Sequence, residues 1–408
     1  MKTNVLSLGN LYISDFLTDD QQSLEKSELN LILEDTGLVR LDKTVNRDAM
    51  YGRYWYRSGT NISMRNDLLD IVTCIDKVKK LSPGDVWLDI ACNDGTMLGH
   101  VGRLNKEIVR VGIDPCNDSY AIESRQNAEE IVQDYFTAEV YRGTRYGKMQ
   151  PKIITTIAMF YDLADPASFI RDVRSVIDSN GLWVVQMSYT PLMLKQLAFD
   201  NICHEHVYYY SLFNIKKLFE DNGFQIVDCQ INSVNGGSFR IYAMPHDADM
   251  CSFADQPTRD VAKFRIESTL LMENDMKVDY KETWEKFFDD IERLKETTVS
   301  FIKKVKSDGK SVWAYGASTK GNTLLQYFGL DNSMIDGIAE RSVYKFGLRT
   351  VGTNIPIYSE DHMRNEKPDY LLILPWHFIS EFIERESDYL NNGGKFIVPC
   401  PKFEIIGK

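Results

Sequence analysis

The sequence lacks the features that mark secreted, membrane-spanning and disulfide-bonded proteins. Its seven cysteines are scattered over 408 residues without a C-x-x-C pair, a spacing that indicates neither a disulfide framework nor a zinc ribbon. No window is apolar enough to cross a bilayer, and the start, "MKTNVLSLGNLYISDF", has no apolar core of signal-peptide length. We therefore expect a cytoplasmic protein with free thiols.

The sequence also lacks an excess of basic residues. Its 47 lysines and arginines against 59 acidic residues give a net charge of -12. Binding to nucleic acid or to an anionic membrane needs clustered lysine and arginine, so neither partner is expected. The composition favours a small-molecule ligand and leaves the oligomeric state open.

The order of apolar segments predicts two Rossmann-like units in tandem. Residues 1–65 predict a small accessory domain, and residues 66–250 alternate helix and strand as in a doubly wound parallel sheet. Residues 251–308 are charged with helical spacing and predict a connector. Residues 309–408 again alternate strand and helix, so the expected fold class is α/β.

A loop in "VWLDIACNDGTMLGHV" follows the first predicted strand of the 66–250 domain. The candidate ligand-binding residues there are Asp89, Ala91, Asn93, Asp94 and Gly95. They lie at the carboxyl end of a strand, where open α/β sheets bind ligands. The dinucleotide fingerprint G-x-G-x-x-G is missing, and acidic Asp94 would repel a pyrophosphate. The loop therefore disfavours NAD and favours a cofactor with a cationic or amino-acid end.

Two further acidic positions follow in the order expected for an adenosine site. Asp114 ends the next strand and could accept both ribose hydroxyls, and "IVQDYF" puts Asp134 beside the rings of Tyr135 and Phe136. This order is similar to that of class I S-adenosylmethionine-dependent methyltransferases. The alternative is an ordinary sheet with acidic turn residues, because each motif alone is weak.

A second small-residue loop, "YGASTKGNTLL", opens the 309–408 unit. Gly316, Ser318 and Lys320 lie at a strand-to-helix turn, where backbone N–H groups and the helix dipole could hold a phosphate. Any such turn can be rich in glycine, so the structural alternative stays open. Cations follow downstream and favour a phosphorylated ligand, namely Arg341, Lys345 and Arg349.

The stretch "NICHEHVYYYS" places two of the six histidines within three positions. In an extended segment His204 and His206 would share a face while Glu205 points to the other. A metal site would need a third ligand, and none stands at suggestive spacing, so no metal is expected. Proton transfer fits better, because imidazole titrates near neutrality. Hydrogen-bonded core histidines followed by a packing stripe of tyrosines, residues 208–210, are the alternative.

Several segments together resemble the nucleotide-sugar C-methyltransferases. These are "LSLGNLYISDF", "DTGLVRL", "YWYRSG", "ACNDGT", "HEHVYYYS", "NGGSFRIYA", "YGASTKGNTLLQYFG", "PDYLLILPW" and "GGKFIVPCP". The match covers almost the whole chain. The resemblance implies a zinc-binding amino-terminal module, a methyltransferase domain using S-adenosylmethionine, and a Rossmann-like domain that helps to hold a nucleoside-diphosphate-linked keto-deoxysugar.

The resemblance also implies roles for residues. A base removes the proton beside the ketone, and the enolate attacks the methyl of S-adenosylmethionine. His206 corresponds to the family's base, with Glu205 beside it, and Tyr56 matches a tyrosine near the active site. The expected substrate contacts are Cys203, His204, Asn235, Gly236, Gly237, Gly316, Ser318, Lys320, Asn322, Arg341 and Lys345.

The sequence departs from the family at two places. Leu33 and Thr36 occupy the positions of a zinc-binding C-x-x-C, so we predict no structural zinc, and Cys203 replaces the tyrosine that opens Y-x-E-H. Two alternatives stay open at this point. One is a nucleotide-sugar dehydrogenase or epimerase, and the other is a non-catalytic nucleotide-sugar-binding subunit.

Overall fold

The computed structural model describes residues 2–21, 25–45 and 55–407. They form two compact units, in which sequence-distant segments come together. The first unit comprises residues 1–46, 190–207 and 278–408, and the second comprises residues 47–189 and 208–277, each as far as the structure describes them. The segment with the two neighbouring histidines therefore packs with the carboxy-terminal Rossmann-like unit.

The described residues form the following elements in chain order. The strands are β1 (Thr3–Tyr12), β2 (Phe16–Leu17), β3 (Lys26–Leu33), β4 (Val39–Leu41), β5 (Val86–Ile90), β6 (Val109–Ile113), β7 (Glu130–Val132), β8 (Ile153–Ile157), β9 (Leu182–Ser188), β10 (Tyr208–Tyr209), β11 (Phe224–Asn232), β12 (Ser238–Pro245), β13 (Val312–Tyr315), β14 (Ile338–Glu340), β15 (Arg349–Thr350), β16 (Ile357–Ser359), β17 (Tyr370–Ile373), β18 (Lys395–Val398) and β19 (Glu404–Ile406). The helices are α1 (Ile62–Val78), α2 (Thr96–Leu104), α3 (Asp118–Ser124), α4 (Ala138–Arg142), α5 (Pro166–Val176), α6 (Thr190–Lys195), α7 (Leu212–Asp221), α8 (Gln256–Met276), α9 (Lys281–Ser307), α10 (Thr319–Phe328), α11 (Glu360–Glu366), α12 (Ile379–Arg385) and α13 (Ser387–Asn391).

The second unit is built on a seven-stranded sheet of order β11-β12-β9-β8-β5-β6-β7. Strands β7, β6, β5, β8 and β9 run parallel, and β12 pairs antiparallel with both β9 and β11. Every residue of β5 is buried, which explains why all of them except Asp89 are apolar. The strand order reverses between β5 and β8, so a crevice for ligands is expected there. The predicted doubly wound fold is confirmed.

The first unit contains a six-stranded sheet of order β16-β14-β13-β17-β18-β19. Its first five strands are parallel and β19 is antiparallel. The strand order reverses between β13 and β17, which makes the carboxyl ends of these two strands the expected ligand-binding edge. The second Rossmann-like unit is thereby confirmed.

The predicted connector, residues 251–308, forms two long helices that lie in different units. In the second unit, α8 packs beside β11, where Arg265 makes two hydrogen bonds of 2.6 and 2.8 Å to the buried carboxylate of Asp228. Glu273 of the same helix accepts hydrogen bonds from Tyr189 and from the backbone N–H of Leu212. In the first unit, α9 buries one face that includes Trp284. Each helix therefore stabilises its own unit.

The amino-terminal segment forms antiparallel strands, β1 with β3 and β3 with β4. The turn at Leu33 and Thr36 is closed by a backbone hydrogen bond of 2.9 Å from Glu34 N–H to the Leu38 carbonyl. A 2.6 Å ion pair between Arg40 and Glu34 adds to it. Protein hydrogen bonds thus close this turn, and the absence of a structural zinc there stays a prediction.

A search of the helices among the described residues found no segment long and apolar enough to cross a membrane.

Candidate functional site

The loop after β5, residues 91–95, is held in a left-handed backbone conformation. Ala91, Asn93 and Gly95 have φ values of 62°, 51° and 74°. A Cβ atom on Gly95 would lie 2.7 Å from the Cα of Ser124, closer than atoms can pack. Glycine is therefore required where the loop enters α2, and the loop shape is specific to this sequence.

The side chains of Asn93 and Asp94 bind backbone. Asn93 accepts a 3.0 Å hydrogen bond from Ser58 N–H and donates one to the Tyr56 carbonyl, while Asp94 accepts from Gly59 N–H at 2.7 Å. Both residues were predicted to contact the cofactor. The structure shows that they dock the 56–59 segment onto the loop, and their contact with the cofactor stays a prediction. Tyr56 lies beside the loop with a 41 % exposed side chain.

Asp114 and Asp89 are buried at the carboxyl ends of adjacent strands. Asp114 accepts 2.8 Å hydrogen bonds from the N–H groups of Asn93 and Cys116, so it fixes the loop, and its contact with a ribose stays a prediction. Asp89 accepts a 2.7 Å hydrogen bond from Thr155, and burial raises the pKa of its carboxyl to about 7. The structure therefore brings both predicted carboxylates to one edge of the sheet.

The predicted adenine group after β7 is only partly accessible. Phe136 packs edge-on against Phe169, with ring centres 5.3 Å apart, and is 9 % exposed. Asp134 is exposed and Tyr135 is half-buried. The ring of Phe136 therefore packs in the core. Asp134 and Tyr135 are the residues of this group that remain accessible to a cofactor.

A buried polar network in the second unit was missed by sequence reasoning. Gln186 donates to Asp67 at 2.6 Å and accepts from Arg240 and Asn232 at 2.9 and 3.0 Å. Arg240 also lies 3.0 Å from the exposed carboxylate of Asp70. These residues are isolated polar positions in apolar strands and a helix. Only the pairing of β9 with β12 brings them together.

The segment Asn235–Gly237 forms the hairpin turn between β11 and β12. Asn235, Gly236 and Gly237 all have positive φ, at 53°, 84° and 112°, and Asn232 faces Ser238 across the hairpin. The glycines are thus explained by the turn. Their predicted contact with substrate stays a prediction.

The tyrosines after the histidine pair pack on one another and on the core. Tyr208 and Tyr210 stack with ring centres 5.5 Å apart, and Tyr210 lies 5.8 Å from the ring of Phe160. Tyr209 is also buried. This arrangement is the packing stripe that the sequence left as an alternative.

Residues 203–206 of the first unit form a turn, so the expectation of an extended segment is wrong. The N–H of His206 donates to the Cys203 carbonyl at 3.2 Å, which closes the turn. His204 points away from His206 and hydrogen-bonds the Ser27 carbonyl at 3.1 Å. The turn instead groups Cys203, Glu205 and His206, whose potential ligand atoms all lie within 4.8 Å of one another.

The tautomer of His206 follows from its surroundings. Its Nδ1 lies 2.7 Å from the Asn201 carbonyl, which can only accept, so Nδ1 carries the proton and Nε2 keeps its lone pair. Burial, assisted by the Lys320 ammonium, lowers the pKa of His206 to about 3. Burial raises the pKa of Glu205 to about 7. At neutral pH the carboxyl of Glu205 therefore titrates and the imidazole does not.

Other titratable residues surround this turn within the first unit. Lys320, at the start of α10, is close enough to affect the pKa of both His206 and His377. Asp200 is 1 % exposed and accepts a 3.2 Å hydrogen bond from the indole of Trp376. Trp376 and His377 follow β17 and Lys320 follows β13, so they lie at the edge where the strand order reverses. Asp200 and His377 were not predicted, although a histidine just after a parallel strand is a usable signal.

The predicted phosphate loop after β13 is occupied by protein groups. Gly316 is required, since a Cβ atom there would lie 2.6 Å from the ring of Pro375. The Ala317 N–H donates to the carboxylate of Glu340 at 2.8 Å, and Ser318 caps α10 by accepting from Gly321 N–H. A carboxylate at this position disfavours a phosphate. The structure therefore argues against a simple phosphate cradle.

Three predicted substrate contacts in this unit have other partners. Asn322 is 1 % exposed and its amide nitrogen donates to Ser14 and to the Asp15 carbonyl. Lys345 is buried and donates to the Ala317 carbonyl at 2.7 Å. Arg341 remains exposed, 3.4 Å from Glu381. Asn322 and Lys345 thus stabilise the fold. Of the two cations, Arg341 is the accessible one.

Comparisons with known proteins identify methyltransferases. Residues 65–228 match the family model described as "Methyltransferase domain", and residues 233–401 match the model described as "C-methyltransferase C-terminal domain". A curated relative, the C-methyltransferase NovU of Streptomyces niveus, is 30 % identical over 374 residues, which cover 90 % of this chain and 85 % of the relative.

Solved structures show more distant likenesses. One is a complex of the Haloferax volcanii Trm112 methyltransferase activator with a methyltransferase, at 13 % identity and a TM-score of 0.37, covering 50 % of this chain and 100 % of that chain. Another is the magnesium protoporphyrin IX methyltransferase of Synechocystis PCC 6803, at 14 % identity and a TM-score of 0.34, covering 50 % of this chain and 86 % of that chain.

Proposed function

Since the chain belongs to the C-methyltransferase family and is an S-adenosylmethionine-dependent enzyme, we propose that its substrate is a nucleoside-diphosphate-linked keto-deoxysugar. The enzyme methylates the carbon beside the ketone of this sugar. The proposal rests on the specific sequence resemblance and on the turn at residues 203–206. It includes a cytoplasmic location and a small-molecule partner.

The observation that carries the proposal is a carboxyl whose pKa lies near neutrality, on a turn where the charge of the half-buried Lys320 also acts. Removal of a proton beside a ketone needs a base whose pKa lies near the working pH, and the resulting enolate oxygen is stabilised by a nearby positive charge. Glu205, with a pKa of about 7, meets the first need. Lys320, whose charge acts on the same turn, meets the second.

This proposal exchanges the roles of two predicted residues. The sequence predicts His206 as the base, but an imidazole whose pKa is about 3 is a poor proton acceptor at neutral pH. Glu205 takes the proton, and His206 stays neutral and presents the lone pair of Nε2 as a hydrogen-bond acceptor. In the second unit the 91–95 loop, Asp114 and the accessible Asp134 hold S-adenosylmethionine, and Tyr56 stands beside that loop.

Mass spectrometry of nucleotide-linked 4-keto-6-deoxysugars, incubated with the enzyme and S-adenosylmethionine, tests the substrate. We expect one member of the panel to gain one methyl group. Glu205→Gln and His206→Ala should both abolish the gain, and His246→Ala, which removes an exposed histidine, should leave it unchanged. No gain on any member, with S-adenosylmethionine still bound, would contradict the sugar assignment.

A second measurement separates proton removal from methyl transfer. In D2O with S-adenosylhomocysteine in place of the methyl donor, the accepted sugar should exchange the hydrogen beside its ketone for deuterium. The exchange should be lost in Glu205→Gln. Undiminished exchange in that variant would move the base away from Glu205.

A further inference from the structure

The turn at residues 203–206 brings three different metal-ligating side chains to one place. We propose that Cys203, Glu205 and His206 form a binding site for a thiophilic divalent metal ion of the zinc class, and that the bound ion blocks the enzyme. The second part rests on the proposed function. The first part stands without it.

The donor set and its spacing support the site. A thiolate, a carboxylate and an imidazole are the ligands that Zn²⁺ takes, and three protein ligands leave a fourth position open. Around a tetrahedral zinc the ligand atoms lie about 3.5 Å apart. The three atoms here already lie within 4.8 Å of one another without an ion. Glu205 is half-buried, so it is the ligand with room to move inward.

The orientation of His206 supports the site independently. Its Nδ1–H is fixed on the Asn201 carbonyl at 2.7 Å, which leaves Nε2 as the donor atom. A ligating histidine almost always gives its other N–H to such a carbonyl or carboxylate. His204 does not belong to this group, whose ligand atoms come from Cys203, Glu205 and His206.

The local charge also favours a divalent cation. Metal binding replaces the protons of the Cys203 thiol and the Glu205 carboxyl, so these two ligands would carry two negative charges that a divalent ion neutralises. The imidazole of His206 binds in its neutral form and adds no charge.

Metal binding and catalysis compete for the same atoms in this arrangement. The ion would be coordinated by the carboxylate of Glu205 and by Nε2 of His206, so neither group could act on the substrate. The family has a tyrosine at the position of Cys203. The sensitivity to metal is therefore a property of this chain that the cysteine introduces.

The site is tested by titrating the full-length protein with Zn²⁺ against a chromophoric chelator. We expect the wild type to bind one more ion than Cys203→Ser and Glu205→Gln, or to bind it more than about tenfold more tightly, as even an outer-shell partner contributes that much. Cys251→Ser, which changes an exposed cysteine, should behave as wild type. Co²⁺ should give a thiolate charge-transfer band that Cys203→Ser lacks.

Equal binding by the wild type and by both ligand variants would overturn the site. Matching circular dichroism and thermal midpoints among the variants exclude misfolding as the cause of a loss. The blockade is tested separately, since Zn²⁺ should stop methyl transfer reversibly in the wild type, whereas Cys203→Ser should keep whatever rate it shows without metal. Occupancy by Zn²⁺ with undiminished turnover would overturn the blockade alone, and an absence of turnover without metal would count against the proposed function.

Discussion

The pH dependence of the reaction decides whether Glu205 or His206 is the base. With a pKa of about 7, the carboxyl of Glu205 is about one-tenth ionised at pH 6 and about nine-tenths ionised at pH 8. The value of kcat/KM should therefore rise about tenfold between these pH values if Glu205 must be deprotonated. An imidazole with a pKa of about 3 is fully neutral over the same range, so a His206 base would give a flat profile.

The assay is the initial rate of methyl transfer at saturating S-adenosylmethionine and low sugar concentration, from pH 5.5 to 9. Glu205→Gln should lose about 10²- to 10⁴-fold in rate, the usual contribution of a general base. His246→Ala should keep the full profile of the wild type. These comparisons place the effect on one carboxyl.

The pKa of another carboxyl, that of Asp89 near the 91–95 loop, is also raised to about 7. Its titration would change the binding of S-adenosylmethionine, which saturation with the cofactor removes from the measurement. A flat wild-type profile, or a tenfold rise that persists in Glu205→Gln, would refute the assignment of Glu205.

Three further predictions concern stability and cofactor binding. Burial raises the pKa of Glu205 above its value in the unfolded chain. The ionised carboxylate therefore destabilises the folded state. This destabilisation begins as the pH rises past the unfolded pKa and is complete above a pH of about 7. Glu205→Gln should therefore raise the free energy of unfolding by about 1 to 3 kcal/mol at pH 8 and leave it unchanged at pH 4, measured by urea titration; an unchanged value at pH 8 would count against the raised pKa. Gly95→Ala should weaken S-adenosylmethionine binding in calorimetry more than tenfold, because its Cβ would lie 2.7 Å from Ser124 at a φ of 74°; Gly84→Ala, with open space at its Cβ, is the control for an equal backbone change. Arg265→Ala should destabilise the protein by about 3 kcal/mol, since it leaves the buried carboxylate of Asp228 unpaired, and a loss below 1 kcal/mol in thermal unfolding would show that α8 is not held by this pair.

Local patterns predicted the elements well. Strand β5 was predicted at Val86–Ile90 and lies there, because a short, mostly apolar run bounded by turn residues is typical of a buried strand. The second Rossmann-like unit was likewise predicted from its strands and from the small-residue loop at Gly316. These patterns depend on neighbours in the chain, so the sequence displays them directly.

The histidine segment shows where such patterns stop. Alternation predicts that His204 and His206 share a face, yet a turn separates them and one ring bonds the distant Ser27. The pKa of Glu205 depends on burial, and the pKa of His206 depends on burial and on Lys320, more than 100 positions along the chain. No local pattern carries that information.

The sequence by itself determined the fold class and the two Rossmann-like sheets, and it singled out the loop at residues 91–95 and the 203–206 segment as candidates. The tertiary structure decided the rest: which residues pack around that segment, which carboxyl titrates near neutrality, and which predicted ligands, such as Asn322 and Lys345, are bound within the protein. The physical reason is the separation along the chain over which each kind of interaction acts. Apolar periodicity and turn chemistry act between close neighbours in the chain, whereas desolvation and charge act between side chains that only folding brings together.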